Sequence, residues 1–434
     1  MRDILLTLII FGSLPLIIKT PAIGGLMWVW VSVMNPHTMS WGFAMHFPFA
    51  MTIAIATLLS VLLTRERKSL PLTPITWTLI MFVLWMNVTT SLALFPHTSF
   101  EQLNKVMKIM LMTFVILMVI KKKEDIHRLI WVLVISLGYY GVKGGLFTIR
   151  TGGSERVWGP EGTFIDGNNE IALALIMTIP LMYYLQQNST RKWVQRGLTA
   201  MMLLSALAAL GSYSRGALLA IAAMVIFMWF KSSKKIVLGV LIALATPMLL
   251  FFMPAGWVGR MDSISNYQTD ESAQGRLNAW RMAYNLAKDR FCGGGFSIYE
   301  PSVFSMYAPD PNDVHAAHSI YFQALGEHGF VGLALYLLLG ILTWRSGAWI
   351  IRNTQKVEHL RWALSLASMI QASLVGFAVG GAFLSLLYFD VPYYLMAAIV
   401  TIRVLVEQEL RGASVACILA TDKLTPPFGA VVET

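Results

Sequence analysis

The segment His318-Ser-Ile-Tyr-Phe-Gln-Ala-Leu-Gly-Glu-His-Gly-Phe-Val-Gly332 lies where the character of the chain changes. Before residue 254 the sequence is almost entirely apolar, and residues 254–316 are polar, aromatic and rich in glycine. A long apolar run then begins at this segment. Since a bilayer span needs about 20 consecutive apolar residues, the segment is expected to mark the point where an extramembrane insert returns to a membrane helix.

The composition extends this interpretation to the whole chain. Of its 434 residues, 56% are hydrophobic and 13% are charged, whereas ordinary soluble proteins are about 25% charged. We therefore predict an all-α polytopic membrane protein with about 12 transmembrane helices and one large periplasmic insert. Residues 4–34 form either one or two further spans. The clear candidate spans are 43–63, 73–93, 104–120, 126–148, 168–185, 195–212, 214–230, 235–253, 317–344, 361–388 and 391–407.

Basic residues set the expected direction of these spans. The net charge of +10 does not point to nucleic acid, because lysines and arginines collect in the cytoplasmic loops of membrane proteins. Basic clusters occur at every second connection, which places the insert on the opposite, non-cytoplasmic side. Cys292 and Cys417 then lie on opposite sides, so we expect no disulfide. The basic connections are 65–68, 121–123, 191–192, 231–235, 345–361 and 403–411.

Four regions follow from this topology. Residues 1–253 form an N-terminal bundle, and residues 254–316 form a periplasmic loop domain with a helix near 275–288. Residues 317–410 form the last transmembrane helices. Residues 411–434, which contain two adjacent prolines, are predicted to be a disordered cytoplasmic tail.

Two arginines on the predicted periplasmic side are candidate anion ligands. Arg215 lies between two apolar runs with almost no loop, where it serves either as an interfacial anchor or as a ligand for phosphate oxygens. On a helical wheel Arg276 shares an arc with Leu277, Trp280, Ala283, Tyr284 and Ala287. It therefore either pairs with an acid of the insert, such as Asp270 or Glu271, or binds an anion.

His318 is the candidate general base, because imidazole titrates near neutral pH and this histidine lies at the predicted interface near both arginines. His328, between Glu327 and Gly329, is expected to make a local hydrogen bond. Asp166 and Asn168 open another helix on the same side, either as helix caps or as polar contacts to a sugar or an arginine. The chain has no metal-ligand pattern, Walker loop or dinucleotide fingerprint, so we predict neither a metal nor a nucleotide cofactor.

These residues carry a resemblance to a known family. His318-Ser319, nine residues, and Gly329-Phe-Val-Gly332 resemble the signature of the O-antigen ligase superfamily. This superfamily includes O-antigen ligases, O-antigen polymerases and bacterial O-oligosaccharyltransferases. The Ser-Arg215-Gly turn and the Gly275-Arg276 pair followed by Gly293-Gly-Gly-Phe296 are similar to its arginine turn and its large periplasmic loop. Residues 160–390 carry this resemblance, and residues 1–120 resemble O-glycosylation ligases of exosortase-associated loci.

The resemblance implies a metal-independent, inverting glycosyltransferase in the bacterial inner membrane. Its donor would be a glycan on undecaprenyl diphosphate, its acceptor a hydroxyl of lipid A–core, and membrane lipids would surround it. Arg215 and Arg276 would hold the diphosphate, while His318 would act as base or as a neutral hydrogen-bonding contact. Candidate contacts to donor or acceptor are Arg156, Asp166, Asn168, Ser214, Trp280, Arg281, His315 and Ser319.

Three alternatives remain open at the level of sequence. Transfer to a protein hydroxyl and glycan polymerisation differ only in the acceptor. A transporter of lipid-linked glycans is a different class, for which internal repeats and charges at mid-membrane are typical. The candidate charges gather at one face and no repeat is visible, which favours an enzyme.

Overall fold

The computed structural model describes residues 1–64, 69–231, 235–236, 239–240, 243, 253–262 and 271–422. It is 79% helical, with no strand among the described residues, which confirms the predicted all-α class. The α-helices are α1 Arg2–Lys19, α2 Pro21–Met34, α3 Phe49–Leu63, α4 Pro74–Ser91, α5 Pro96–Val119, α6 Lys123–Arg150, α7 Asn168–Asn188, α8 Lys192–Gly211, α9 Arg215–Lys231, α10 Ala255–Asp262, α11 Glu271–Asp289, α12 Pro301–Tyr307, α13 Ile320–Thr354, α14 Arg361–Gly380 and α15 Asp390–Asp422.

Five stretches within the described part of the chain are long and apolar enough to cross a bilayer, namely α5, α6, α8, α13 and Glu358–Phe383, which includes α14. Helices α2 and α3 are shorter but equally apolar in character. The predicted span 235–253 falls almost entirely outside the described residues. The chain is thus a helical membrane protein, while the total of about 12 spans and the periplasmic side of the insert stay predictions.

The N-terminal segment forms two helices rather than one broken span. Helix α2 starts at Pro21 directly after α1 ends at Lys19. Proline suits the first turn of a helix because its missing N–H would have no partner there. The Asp3 carboxylate accepts hydrogen bonds from the amides of Gly42 at 3.1 Å and Ala44 at 3.2 Å. The start of α1 therefore meets the connection that follows α2, so the two helices run as a hairpin.

The connections expected on the outer side do meet at one end of the bundle, which we call the loop face. The amide of Leu94 donates to the Gly294 carbonyl at 2.8 Å, and that of Val157 donates to the Gly211 carbonyl at 3.0 Å. The indole of Trp257 donates to the Leu210 carbonyl at 3.0 Å. These connections, which the charge pattern assigns to the same side, therefore contact one another, while the side of the membrane on which they lie stays a prediction. The loop face consists of residues 92–95, 151–167, 211–214, 253–262, 289–319 and 381–389.

The insert is bonded to α13 at a break in that helix. Gly329 has φ 68° and ψ −172°, so it interrupts the helical hydrogen-bond pattern. The carbonyls of Gly326 and Glu327 instead accept from the amides of Gly294 and Gly295, each at 2.9 Å. A Cβ on Gly293 would lie 2.6 Å from the Gly329 nitrogen. Both glycine clusters of the sequence therefore allow two backbones to approach closely.

Helix α11 begins four residues earlier than predicted, and its buried face differs from the predicted arc. Tyr284 is 47% exposed, and its assignment to the packed face was wrong. Arg276 and Trp280 lie beside the buried stripe and are half-buried. The predicted arc was centred on the aromatic side chains of Trp280 and Tyr284, whereas most of the residues that this helix buries are small. The buried residues are Gly275, Asn278, Ala279, Met282, Ala283, Leu286 and Ala287.

The C-terminal segment also differs from its prediction. Helix α15 continues to Asp422, well into the segment for which we expected a disordered tail. Residues 411–422 hold apolar residues between Gly412 and Asp422, which continue the helix beyond the basic cluster. Residues 423–434 lie outside the described residues.

Candidate functional site

His318 stands immediately before helix α13, in an unusual backbone conformation. Its φ is 41°, a region that residues other than glycine seldom adopt. The Trp280 indole donates to the carbonyl of Ala317 at 2.6 Å, and its ring stacks on Phe322 with centroids 4.8 Å apart. Helix α11 therefore grips the chain on both sides of His318 and fixes its position. Ser319 is 1% exposed and is the N-cap residue of α13, without a side-chain capping bond.

The surroundings of His318 keep its imidazole neutral. Burial lowers the pKa of His318 to about 4, with further lowering by the positive charge of Arg276 and by His315. Desolvation and a nearby cation both disfavour the charged ring. No described residue hydrogen-bonds the ring. At neutral pH His318 therefore presents a lone pair that can accept a proton or a hydrogen bond.

Arg276 is within electrostatic range of both His318 and the first turn of α7. It interacts electrostatically with His318 and with Glu170, and Glu170 also interacts with Asp166. Asp270, one of the acids proposed as its partner, falls outside the described residues. Glu170 was missed by the sequence analysis, although a carboxylate in the first turn of an otherwise apolar helix is a usable signal.

The turn that carries Arg215 is held by neighbouring polar groups. Tyr213 has φ 61°, and the Ser214 hydroxyl accepts from the Ala217 amide at 3.1 Å, which caps α9. The Asn168 side chain donates to the Ser212 carbonyl at 2.7 Å. Asn168 thus braces this turn, and the cap of its own helix is Gly167. Arg215 is the first residue of α9.

Two close contacts connect this turn to the start of α13. A Cβ on Gly216 would lie 3.3 Å from Cβ of Phe383, and one on Gly381 would lie 2.7 Å from Cδ1 of Ile320. Gly381 and Phe383 belong to the same short 3-10 helix. The arginine turn therefore packs, through one intervening turn, against the residue that follows His318-Ser319.

The remaining predicted contacts are distributed over the loop face. The Arg156 guanidinium lies 5.6 Å from the ring centre of Tyr213. The Asp166 carboxylate accepts from the Gly162 amide at 3.0 Å, and so it orders its own loop. Arg281 is exposed and bonds none of the described residues. His315 bonds Asp313, with its Nδ1 2.6 Å from a carboxylate oxygen.

Comparison with known families supports the interpretation of this site. A family model described as O-Antigen ligase matches residues 200–337. This match supports the resemblance of the chain to the O-antigen ligase superfamily. The matched region contains Arg215, Arg276 and His318 together with the Gly329–Gly332 motif. Residues 1–190 match a family of unknown function, and no curated protein matches the chain.

A buried polar network behind the O-antigen ligase motif was not predicted. His328 is fully buried, and its two ring nitrogens lie 2.7 Å from the Thr89 hydroxyl and 2.6 Å from the Tyr388 hydroxyl. Tyr388 also donates to the Glu327 carboxylate, which accepts from Gln323 at 3.3 Å. The expected local hydrogen bond of His328 is thus replaced by bonds to residues far along the chain. This network ties α13 to α4 and to the end of the loop face.

An apolar groove of about 280 Å³ runs along α13, beside α14 and α15. Its lining includes Ile320 and Tyr321, directly after the His318-Ser319 pair of the ligase motif, and side chains of the later part of α13 between Tyr336 and Trp344. Leu339 and Phe377 are among its lining side chains.

Proposed function

We propose that this protein transfers a glycan from undecaprenyl diphosphate to a hydroxyl of lipid A–core. The reaction takes place at the periplasmic face of the bacterial inner membrane and needs neither metal nor nucleotide. The observation that carries this proposal is the bond from Trp280 of α11 to the Ala317 carbonyl, directly before His318, which brings Arg276 of the same helix within electrostatic range of His318. The match of residues 200–337 to the O-Antigen ligase family model supports a ligase-type or polymerase-type transfer.

The proposed chemistry uses one base and two fixed cations. His318 takes the proton of the acceptor hydroxyl as its oxygen forms a bond to the anomeric carbon. The bond from that carbon to the diphosphate breaks, and its electron pair leaves with the diphosphate. Arg215 and Arg276 stabilise the charge that develops there. Attack from the side opposite the leaving group inverts the anomeric centre.

The apolar groove supports a lipid-linked donor. It opens beside Ile320, two residues from His318, and its lining is predominantly apolar side chains of α13, α14 and α15. A polyprenyl chain lying there would place its diphosphate next to Arg276. Tyr321 closes part of the groove through a hydrogen bond from its hydroxyl to the Ala378 carbonyl at 2.8 Å.

The assay is direct. Purified protein in liposomes receives undecaprenyl diphosphate glycan and rough lipopolysaccharide, with a chelator and without ATP. The expected product is ligated lipopolysaccharide. A parallel reaction offers a periplasmic protein, and a third offers only the donor, so that protein glycosylation and polymerisation are scored beside ligation. Movement of the donor across the bilayer without any new glycosidic bond would refute the transferase and favour a transporter.

Matched variants test the assigned roles. His318→Ala should lower kcat by about 10²–10⁴-fold, the usual contribution of a general base. His46→Ala removes an exposed histidine and should leave kcat unchanged. Normal turnover by folded His318→Ala would remove the base from the mechanism.

The role of Arg276 can be tested against a second cation on the same helix, Lys288. Arg276→Ala should lower kcat by about 10²–10³-fold, as for the loss of one charge-stabilising group. Lys288→Ala removes a cation whose Nζ lies over Tyr284 at 5.7 Å, and it should behave like wild type. Equal effects of the two substitutions would mean that only the general charge of α11 matters.

A further inference from the structure

Beside His318 lies a second histidine that is held by a carboxylate. Nδ1 of His315 is 2.6 Å from Oδ1 of Asp313. A carboxylate at this nitrogen fixes the tautomer with the proton on Nδ1 and the lone pair on Nε2. The side chain of His315 is 45% exposed. Nε2 is therefore a proton acceptor with access to water.

Helix α11 positions this pair. The ring of His315 lies over Gly275, where a Cβ would be 2.6 Å from Nδ1 and 2.8 Å from Cγ. A side chain at this position would displace the ring. The histidine thus packs against the residue next to Arg276, on the helix that also grips the backbone beside His318.

The loop that carries the pair is clamped by Asn278. Its amide group donates to the carbonyls of Asp310 at 2.8 Å and Asp313 at 2.9 Å. Its oxygen accepts from the Asp310 amide at 3.0 Å. Asn278 is only 8% exposed, and all three of these hydrogen bonds join it to the short loop between Asp310 and Asp313. The His315–Asp313 pair is therefore a fixed arrangement rather than a chance contact of surface side chains.

A proton that His318 takes from the acceptor has to leave His318 again. With a pKa near 4, this histidine can take a proton in the transition state but cannot keep it at neutral pH. His315 interacts electrostatically with His318 and lies three residues before it. The charged groups that face this region are Arg276 on α11 and Asp313 on the same loop. Arg276 opposes a positive charge on His318, whereas the Asp313 carboxylate accepts the hydrogen bond from Nδ1 of His315 and leaves Nε2 as the acceptor.

We propose that the His315–Asp313 pair receives the proton from His318 and releases it to water. The acceptor hydroxyl gives its proton to His318, protonated His318 passes it through a bridging water to Nε2 of His315, and His315 loses it to solvent. No other group changes its protonation over the cycle. The proposal rests on the transfer reaction described above and assigns the exit route of its proton.

The test uses full-length protein in the transfer assay. His315→Ala should lower kcat by about 10–100-fold, less than the 10²–10⁴-fold effect of a direct general base, with the KM for donor unchanged. Added imidazole should restore kcat, because the position is open to solvent. His315→Gln, which keeps a side chain over Gly275, should show the same loss. Wild-type turnover by either variant would refute the transfer of the proton from His318 to His315.

Loss of kcat without rescue by imidazole also overturns it, since a packing defect would behave in this way. The matched control is the His97–Glu101 pair, whose nitrogen and oxygen lie 3.6 Å apart with both side chains exposed. His97→Ala should keep wild-type kcat. Asp313→Asn should reduce kcat, whereas Glu101→Gln should not.

A second measurement separates this proposal from the transfer reaction itself. If wild-type protein makes no product from any acceptor, the proposed function fails. Labelling with diethyl pyrocarbonate then tests the pair without turnover. Asp313→Asn should slow the labelling of His315 several-fold while leaving that of His97 unchanged. Equal labelling of His315 in wild type and Asp313→Asn would overturn the pair.

Discussion

Gly329→Ala should destabilise the protein far more than an ordinary glycine substitution in a helix. The residue has φ 68° and ψ −172°, a combination that is essentially restricted to glycine and costs other residues about 1–3 kcal/mol. An added Cβ would also press into the carbonyl oxygen of Phe291 and come within 3.1 Å of the Gly293 nitrogen. Both obstacles are backbone atoms, so they cannot swing aside.

The expected magnitude combines these two effects. Overpacking against rigid neighbours costs about 1–3 kcal/mol, and together with the conformational strain the loss is about 2–6 kcal/mol. At about 2 °C per kcal/mol for a large domain, the melting temperature should fall by about 4–12 °C. Thermal unfolding of the detergent-solubilised protein, followed by tryptophan fluorescence, measures this change.

Gly340→Ala is the matched control, since it lies in the same helix with nothing within 4 Å of an added Cβ. Its helical conformation predicts a small gain of about 0.5–1 kcal/mol. A Gly329→Ala variant that melts with wild type or with Gly340→Ala would refute the break in α13. The glycine at position 329 of the motif would then have no structural explanation.

Three further outcomes are expected. Tyr388→Phe strands buried polar atoms of Glu327 and His328 and should cost about 1–3 kcal/mol, measured by thermal unfolding against Tyr139→Phe on an exposed ring. Because the pKa of His318 is about 4, kcat/KM should stay level down to about pH 5 and fall with a midpoint near pH 4; a midpoint at 6.5 would contradict the burial of this ring. Trp280→Phe keeps the stacking but loses the bond to Ala317, and kcat should fall about tenfold, equivalent to about 1.4 kcal/mol.

The low pKa of His318 also predicts a pH dependence of the free energy of unfolding. The pKa of folded His318 lies below the usual histidine value of 6.5, so the unfolded state binds more protons between pH 4 and pH 6.5. This group therefore reduces the free energy of unfolding as the pH falls through that interval. His318→Gln should flatten this part of the stability curve.

Much of the candidate site could be predicted from the order of residues along the chain. Arg215, Arg276 and His318 stood out because charged or titratable groups at the end of an apolar run are costly without a partner. Their common side followed from the alternation of basic connections. In the structure Arg276 is within electrostatic range of His318, and the arginine turn packs toward Ile320 through Phe383.

Glu170, Asn278 and Asp313 escaped notice for a physical reason. Glu170 and Asn278 act on partners that are remote in sequence, and the loop that brings Asp313 to His315 is held by Asn278. Asn278 bonds a loop more than thirty residues away, and periodicity reveals only that a position is buried, not what it meets. The predicted arc of α11 failed in the same way, because small residues such as Ala279 allow closer packing than large ones do.

The sequence by itself determined a helical membrane protein, because long apolar runs must satisfy their backbone polar groups internally in lipid. It also determined where the polar insert lies and which arginines and histidine border it. Only the tertiary structure decided that Gly329 breaks α13, that Gly294 and Gly295 bond the carbonyls near the break, and that Trp280 holds the backbone before His318. These features depend on backbone groups from distant segments meeting within 3 Å, and no local pattern of residue types encodes such a meeting.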